Sequence, residues 1–358
     1  MLNGRGRLRL RIAALALLAW SLGCGAAAAH APSACTTDGA HARAVVDMAG
    51  RTVALPPAVN RVATVGSVPV INGYLFALGA GRTIVNGLPA RFTQSKRWWL
   101  QTAIAPYLAD RPVLQGQINS EVDLETLVRL APDLVITMDR TRIRALETAR
   151  IPVLFLEWKD ASDIRANLHL LGCALDRRPQ GEDYLRYLDD TMRRIRQALD
   201  GVPRAERPKV LYFNPNTMAT PLDIANWWIE EAGGQSVTAG LAGGGTAHYS
   251  HEQLLLWNPD ILIVNSPEQK TAIYQDERFA RLPAVRNQRV HVTPVGAHAW
   301  GQRTIEQPLT VLWAAQLFHP ARLADIDLVG ELRTFYRRFF DYPLTEQEAR
   351  AILASHPR

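Results

Sequence analysis

An internal repeat limits the folds open to this chain, because one short pattern recurs in both halves. Residues 123–136 (DLETLVRLAPDLVI) align without a gap to residues 250–263 (SHEQLLLWNPDILI). Each copy has a polar capping residue, a short helical pattern, a Pro-Asp turn and an apolar run typical of a buried strand. Chance similarity is the alternative, but the gapless match, which includes Glu125 and Glu252, favours duplication. We therefore expect two similar lobes that face each other across a cleft.

Short runs rich in β-branched residues alternate with helical patterns along the chain. This alternation predicts α/β domains with largely parallel sheets. Between the third and fourth runs, apolar residues at helical spacing from Tyr184 to Leu199 predict one long helix. A helix of about twenty residues spans roughly 30 Å, which is enough to join two lobes as a rigid spine. The predicted strands cover 62–65, 133–137, 153–156, 210–213, 261–264 and 290–293.

The first 31 residues have the layout of a secretory signal peptide. Four arginines precede an apolar run at 12–22, and small residues follow up to an A-x-A-like site at 29–31. A retained membrane anchor is the alternative, but the apolar run is shorter than the ~20 residues of a membrane-spanning helix, which disfavours it. Cys24 suggests lipoprotein processing, but the residues before it fit a lipobox poorly. We expect an exported, periplasmic protein whose mature chain starts near Pro32.

The charge and cysteine content of the mature chain is modest. The 358-residue chain has a formal net charge of +6, and the four arginines of the signal segment leave about +2 after cleavage. The high pI therefore gives no indication of nucleic-acid binding. Cleavage leaves Cys35 and Cys173 in a compartment where a disulfide can persist, although the sequence does not show that they meet.

No recognised catalytic motif is complete. His251 and Glu252 begin like a zinc-protease helix, but the second histidine is missing. The glycines at 243–245 are not followed by the lysine of a phosphate-binding loop, and the segment around Ser236 lacks the last glycine of a hydrolase elbow. We therefore expect a binding protein rather than an enzyme.

Cationic, aromatic and histidine residues recur in loops that follow predicted strands, where ligands bind in open α/β sheets. Arg91, Arg97, Trp98 and Trp99 could stack on and neutralise a flat anionic ligand. The alternative is a surface helix whose tryptophans pack into the lobe. The other candidate ligand-binding residues are Arg140, Asn214, His248, Tyr249, His298, Trp300 and Arg303.

Three of these residues are also candidate metal ligands: His248, Tyr249 and His298. Imidazole and phenolate groups suit ferric iron, and imidazole also suits nickel or cobalt. Each could instead be a surface or internally hydrogen-bonded residue. No tightly spaced set of three ligands is present, which disfavours a bare ion held by protein alone.

From Val45 to the C-terminus the chain resembles the iron-chelate and cobalamin periplasmic binding proteins, the group with a long interlobe helix. The resemblance implies two Rossmann-like α/β lobes joined by one long α-helix, with the lobes at 32–178 and 202–358 and the helix at 179–201; the signal peptide inferred above covers 1–31. Matching stretches include LFALG at 75–79, LETL with APDLV at 124–135, EAGG at 231–234, EQLL with NPD at 252–260, LPAVRNQRV at 282–290 and Phe335-Tyr336.

The resemblance also implies docking onto a dimeric ABC permease through one acidic residue on each lobe. Glu125 and Glu252 occupy equivalent repeat positions, as a two-fold partner with matching arginines requires. Simple stabilisation of helix N-termini by glutamate is the alternative, and it is compatible with docking.

Members of the family take ferric siderophores, haem, cobalamin, nickel or cobalt chelates, or molybdate-type oxyanions. The arginines favour a negatively charged ligand, and the tryptophans favour one with a planar organic surface. We therefore expect a monomer without a cofactor of its own that captures a metal chelate, foremost a ferric siderophore, for the permease. A metal or haem sensor and a metallo-enzyme are the alternatives from other classes.

Overall fold

The computed structural model describes residues 36–38, 42–117 and 120–355. The first strands are β1 (Thr36–Asp38), β2 (Ala42–Val46), β3 (Thr52–Leu55), β4 (Val62–Val65), β5 (Leu134–Thr137) and β6 (Val153–Phe155). Strands β1 to β3 form an antiparallel sheet, and the next three form a parallel sheet with the order β4-β5-β6. Every residue of β4 to β6 is buried, as the apolar runs of the sequence predict for a sheet covered on both faces.

Six α-helices belong to this N-terminal lobe in the described part of the chain. They are α1 (Val68–Ala77), α2 (Ala90–Thr93), α3 (Trp99–Ile104), α4 (Leu124–Leu130), α5 (Ile143–Glu147) and α6 (Ala161–Ala174). The short helices α2 and α3 lie in the long connection between β4 and β5 and are separated by a 3-10 turn at 96–98. This connection supplies the residues that face the other lobe.

Helix α7 (Arg178–Ala198) is the longest helix of the described residues, with 21 residues. Pro179 lies in its first turn, where the missing N–H is tolerated, and Gly201 follows its end with a φ of 73°. Its apolar stripe, which includes Tyr184, Leu188 and Ile195, is buried against helices of both halves of the chain.

The strands of the C-terminal lobe are β7 (Lys209–Tyr212), β8 (Ala219–Pro221), β9 (Gln235–Ser236), β10 (Thr246–His248), β11 (Ile261–Val264) and β12 (Val290–Val292). They form a parallel sheet with the order β12-β11-β7-β9 and an antiparallel pair of β8 with β10. The helices are α8 (Leu222–Glu231), α9 (His251–Trp257), α10 (Pro267–Gln275), α11 (Pro283–Arg286), α12 (Gln307–Phe318), α13 (Leu328–Phe340) and α14 (Glu346–Leu353). The prediction of two α/β lobes and one long helix is confirmed.

The two repeat copies fold into the same helix-turn-strand unit. The side chains of Asp123 and Ser250 accept hydrogen bonds from backbone N–H groups at the starts of α4 and α9. Both helices end at a residue in the left-handed region, Ala131 at a φ of 44° and Asn258 at 50°. The Pro-Asp pair then leads into β5 or β11, so equivalent residues hold equivalent positions in the two lobes.

The aspartate of each Pro-Asp turn fixes the start of the neighbouring strand. Asp133 Oδ2 accepts hydrogen bonds from the backbone N–H groups of Asn60 and Arg61, at 2.8 and 2.9 Å. Asp260 Oδ2 accepts one bond of 2.8 Å from the backbone N–H of Lys209. The repeated sequence therefore encodes a repeated strand junction as well as a repeated helix.

Some sequence predictions concern residues outside the described part of the chain: the signal segment 1–31, Cys24 and Cys35. Cys173 is disulfide-bonded. Within the described residues, no helix has both the length and the apolar character that a membrane crossing requires.

Candidate functional site

A polar cavity of about 300 Å³ lies where the two lobes meet. The N-terminal lobe contributes the segment around α2 and the following 3-10 turn, and the C-terminal lobe contributes loops that follow β7, β11 and β12. The cavity therefore lies at the carboxyl ends of the parallel strands of the C-terminal sheet, as expected for an α/β ligand site. Its lining residues are Arg91, Phe92, Arg97, Trp98, Asn214, Asn265, Gln269, His298, Ala299 and Gln302.

Arg97 both lines this cavity and bridges the lobes. One guanidinium N–H donates to the backbone carbonyl of Asn265 at 2.5 Å. Burial lowers the pKa of Arg97 from its usual value, while Tyr212 and Glu268 oppose that shift. Four residues later in the chain, the side-chain amide of Gln101 donates a hydrogen bond to the backbone carbonyl of Ala297. The two bonds hold the N-terminal connection against the C-terminal lobe.

The second cation of the cavity is Arg91. Its guanidinium lies 4.4 Å from the centre of the neighbouring Phe92 ring, and its side chain is exposed. Within the described residues neither Arg91 nor Arg97 forms an ion pair with a carboxylate. Two guanidinium groups without an ion-paired carboxylate give this wall of the cavity a positive charge.

The opposite wall is neutral and carries carboxamides. Asn214 Oδ1 accepts hydrogen bonds from Gln269 Nε2 and from the backbone N–H of Asn216, both at 3.0 Å. Gln269 Oε1 in turn accepts from the backbone N–H of Asn265 at 2.9 Å. Because the oxygens of Asn214 and Gln269 are engaged inside the wall, the donors of these two side chains that remain for a ligand are the NH2 group of Asn214 and the second N–H of Gln269.

His298 completes the cavity as a neutral imidazole. Burial, together with the nearby charges of Arg91, Arg303 and Arg97, lowers the pKa of His298 to about 4, although a hydrogen bond with the backbone of Ala299 opposes the shift. Its ring packs against Trp98, with 5.3 Å between ring centres, and Nδ1 has no hydrogen-bond partner within the described structure. At neutral pH this side chain can donate or accept one hydrogen bond, or coordinate a metal, without carrying charge.

Five of the predicted ligand-binding residues therefore meet in one cavity: Arg91, Arg97, Trp98, Asn214 and His298. Trp98 does not present a free face there, because its ring contacts Phe92 at 5.1 Å and His298, and the Arg97 guanidinium lies 5.5 Å from its centre.

The other predicted tryptophans lie elsewhere. Trp99 lines a separate cavity of about 130 Å³, which shares Arg97 and Asn265 with the first. Trp300 is fully buried, donates its indole N–H to Glu306 at 2.9 Å and does not line the cavity. A loop aromatic can satisfy its polar atom inside the core, which the sequence does not show.

The predicted cations outside the cavity have local partners or neighbours. Arg140 lies 5.2 Å from the Phe155 ring at the edge of the N-terminal sheet and does not line the cavity. Arg303 does not line it either, but its charge acts on His298 from close by.

The candidate metal ligands do not share the cavity, since only His298 of the three lines it. His248 lies on exposed β10, with Nδ1 at 3.2 Å from the carbonyl of Thr217. The Tyr249 hydroxyl is bonded to Thr220 at 2.8 Å, and its ring packs against Trp257 at 4.7 Å. Within the described residues no group of three or more His, Cys, Asp or Glu side chains is arranged to hold a metal.

The sequence reasoning missed Phe92, Asn265, Gln269 and Gln302. A signal for Asn265 was present, because this residue directly follows strand β11, at the sheet edge where ligands bind. Gln269 lies in the first turn of the next helix. Neutral carboxamides are common in loops, and composition alone does not separate them from ordinary turn residues.

The predicted docking glutamates both lie on the outer surface. The Glu125 side chain is 91% exposed on α4, with Arg129 at 3.9 Å. Glu252 is exposed on α9, and a hydrogen bond from Ser250 lowers the pKa of Glu252. Their equivalent helices give the two carboxylates equivalent places on the two lobes.

A family model described as periplasmic binding protein matches residues 103–295 of the chain. The molybdate-binding protein MolA of Haemophilus influenzae is 24% identical over 325 residues, which cover 83% of this chain and 91% of MolA.

Solved structures of binding proteins superimpose on this chain over most of its length. A periplasmic solute binding protein from Veillonella parvula superimposes with a TM-score of 0.75 at 27% identity, covering 87% of this chain and 96% of its own. MolA bound to molybdate has a TM-score of 0.74 at 22% identity, with coverages of 85% and 99%. CeuE of Helicobacter pylori, in a complex described as Ni-His, has a TM-score of 0.68 at 21% identity, with coverages of 86% and 98%.

Proposed function

Because the chain belongs to the periplasmic binding protein family, we propose that its interlobe cavity captures a molybdate-type oxyanion and delivers it to the permease of an ABC transporter. The observation that carries the proposal is the make-up of the cavity wall. Two guanidinium groups face carboxamides and an imidazole, and no carboxylate lines the cavity within the described residues.

Charge and hydrogen-bond capacity both suit an oxyanion. Arg91 and Arg97 can donate charge-assisted hydrogen bonds, which are the strongest that proteins offer to anionic oxygens. The Asn214 amide and the imidazole of His298 can add neutral donors. A small tetrahedral anion accepts such bonds from several directions at once and needs no planar stacking surface.

The size of the cavity supports a compact ligand. Its volume of about 300 Å³ lies at the lower end of the range of about 300–1,000 Å³ for small-molecule sites. The bond from Arg97 to Asn265 separates it from the smaller cavity beside Trp99, since both residues line both cavities. A larger ligand would need Arg97 to move, whereas an oxyanion would not.

An anionic metal chelate, such as a ferric siderophore, is the second candidate. Trp98 and His298 favour it, because an indole edge and a neutral imidazole could contact the organic part or the metal of a chelate. Only one of the three candidate tryptophans lines the cavity, and this makes the planar chelate the weaker fit.

The partner in this proposal is the permease dimer, which Glu125 and Glu252 would contact from the two lobes. A two-fold partner presents the same surface twice, and the repeat presents two matching carboxylates to it. The MolA homologue is described together with an ABC transporter.

Isothermal titration calorimetry of the mature protein tests the ligand. Molybdate, tungstate, sulfate, a ferric siderophore, haem and nickel-histidine are each titrated in a separate experiment. We expect saturable one-to-one binding of molybdate and tungstate. Tight binding of the siderophore with no heat from either oxyanion would replace the first candidate by the second.

A further inference from the structure

A fully buried carboxylate lies directly behind the cavity. Glu306 has no solvent-exposed surface and occupies the position before the first residue of α12. Its carboxylate does not cap that helix. It points back into the loop 296–303, which carries the cavity residues His298, Ala299 and Gln302.

Two backbone groups of this loop donate to Glu306. The N–H of His298 donates to Oε2 at 2.8 Å, and the N–H of Ala297 donates to Oε1 at 3.2 Å. The carboxylate therefore holds the main chain at the very residue whose imidazole lines the cavity.

Three side chains complete the shell around the carboxylate. The indole N–H of Trp300 donates to Oε1 at 2.9 Å, and the Thr304 hydroxyl donates to Oε2 at 3.0 Å. The Tyr336 hydroxyl also donates to Oε1, while it accepts the N–H of Ala297 at 2.9 Å. Helix α13, which carries Tyr336, is thus connected to the cavity loop through one acid.

Every group that contacts the carboxylate is a donor, so the site matches the ionised form. Burial raises the pKa of Glu306, and the hydrogen bonds from Tyr336, Trp300, His298 and Thr304 oppose this. A glutamine would place an N–H group against these donors. The geometry therefore requires an acid here and not only a polar side chain of the same size.

Gly296 allows the main chain of the loop 296–303 to lie close against Glu306 and Tyr336. A Cβ atom at that position would overlap Glu306 Oε1 and the Tyr336 hydroxyl. The loop main chain, the acid and the tyrosine are consequently packed without room for a side chain. A loop held in this way keeps its geometry whether or not a ligand is present.

We propose that Glu306 is the positioning residue of the ligand site, and that its carboxylate fixes the loop 296–303 so that His298 and Gln302 face the cavity. Only the affinity part of this inference rests on the proposed oxyanion function. The ordering of the loop is a property of the unliganded protein.

Glu306→Gln is the informative variant, and hydrogen exchange and molybdate titration are the two readouts. We expect amide exchange at Ala297 and His298 to speed up at least about tenfold and the Kd for molybdate to rise at least about tenfold, since bonds to a charged acceptor contribute about 1.5–3 kcal/mol each. Unchanged exchange and unchanged Kd in a folded variant would overturn the proposal.

Glu348→Gln is the matched control, because Glu348 is also buried but belongs to the capping box of α14. It is expected to lower Tm and leave both exchange in the loop and the Kd unchanged. If Glu306→Gln does not fold, Trp300→Phe is the second variant, because it removes one donor to the carboxylate and keeps an aromatic ring. This variant should raise the Kd for molybdate about two- to fivefold. An unchanged Kd would count against the proposal. If the wild-type protein binds no oxyanion, the oxyanion function fails, while loop exchange still decides the role of Glu306.

Discussion

The two lobes share one folding unit but contribute opposite chemistry to the cavity. In each lobe a capped helix, a left-handed turn residue and a Pro-Asp pair lead into a buried strand. The N-terminal lobe then adds cations and aromatic rings from the connection that contains α2 and α3, whereas the C-terminal lobe adds neutral carboxamides and an imidazole. The scaffold is repeated, and the binding surface is not.

This difference shows where selection for a ligand can act in a duplicated fold. The repeated parts fix strand junctions and place Glu125 and Glu252 on equivalent outer surfaces. The cavity is lined by loop residues that differ in chemistry between the two lobes. Symmetry on the outside suits a two-fold partner, and asymmetry inside suits a ligand that needs charge on one side and neutral donors on the other.

The largest expected effect concerns the cationic wall. Replacing both Arg91 and Arg97 by alanine should raise the Kd for molybdate at least about a hundredfold, because charge-assisted bonds contribute about 1.5–3 kcal/mol each. Calorimetric titration measures this. Arg140→Ala, an arginine of the same lobe outside the cavity, is the control and should leave the Kd within about twofold. An equal loss from Arg140→Ala would show that general charge, and not the cavity wall, binds the anion.

The next effect concerns the outer surface, where the lobes are equivalent. Reversing Glu125 and Glu252 together to lysine should reduce molybdate uptake by cells at least about tenfold and leave the Kd unchanged, because interface charges act on the partner and not on the cavity. Each single reversal should give a similar partial loss. Glu182→Lys, on the exposed face of α7, is the control. Intact uptake in the double variant would favour a sensor that does not use the permease.

The third effect concerns two buried histidines of the C-terminal lobe and is measured as a pH dependence of the free energy of unfolding. Burial holds the pKa values of His298 and His291, both in the C-terminal lobe, at about 4. The unfolded chain takes up these protons as pH falls below about 6.5, so the free energy of unfolding should fall between pH 6.5 and 4, by at most about 1.4 kcal/mol per pH unit for each histidine. Urea unfolding at several pH values measures the slope. His298→Gln should remove one histidine's share of it, and an unchanged slope would contradict the assignment.

The smallest effect tests the repeated junctions. Asp133→Ala removes the acceptor for two backbone N–H groups, and Asp260→Ala removes the acceptor for one. We expect losses of about 1–2 and about 0.5–1 kcal/mol in the free energy of unfolding, because these bonds lie near solvent. A larger loss at Asp260 than at Asp133 would contradict this expectation, because the number of backbone hydrogen bonds would then not set the stability of each junction.

Sequence reasoning recovered the scaffold because its signals are local. The strand runs, the stripe of α7 and the repeat all follow from spacing along the chain. It also placed Arg97 and His298 at strand ends, which the cavity brings together. It could not separate Trp98 from Trp300, since both are loop aromatics and only tertiary packing turns one to the cavity and the other to Glu306.

The role of Glu306 could not be predicted from the sequence for the same reason. The residue lies at the start of a helix, where an acid normally favours the helix dipole. Its actual partners include Tyr336, which follows thirty positions later in the chain. Only the folded loop shows that the carboxylate faces away from the helix.

Anomalous X-ray scattering at the molybdenum edge, from crystals of the mature protein grown with molybdate, shows whether the interlobe cavity holds the oxyanion. We expect one strong peak in this cavity, with oxyanion oxygens within hydrogen-bonding distance of Arg97 and Arg91 on one side and of Asn214 or His298 on the other. A cavity without a molybdenum peak at saturating molybdate, or a peak only on the outer surface, would contradict it.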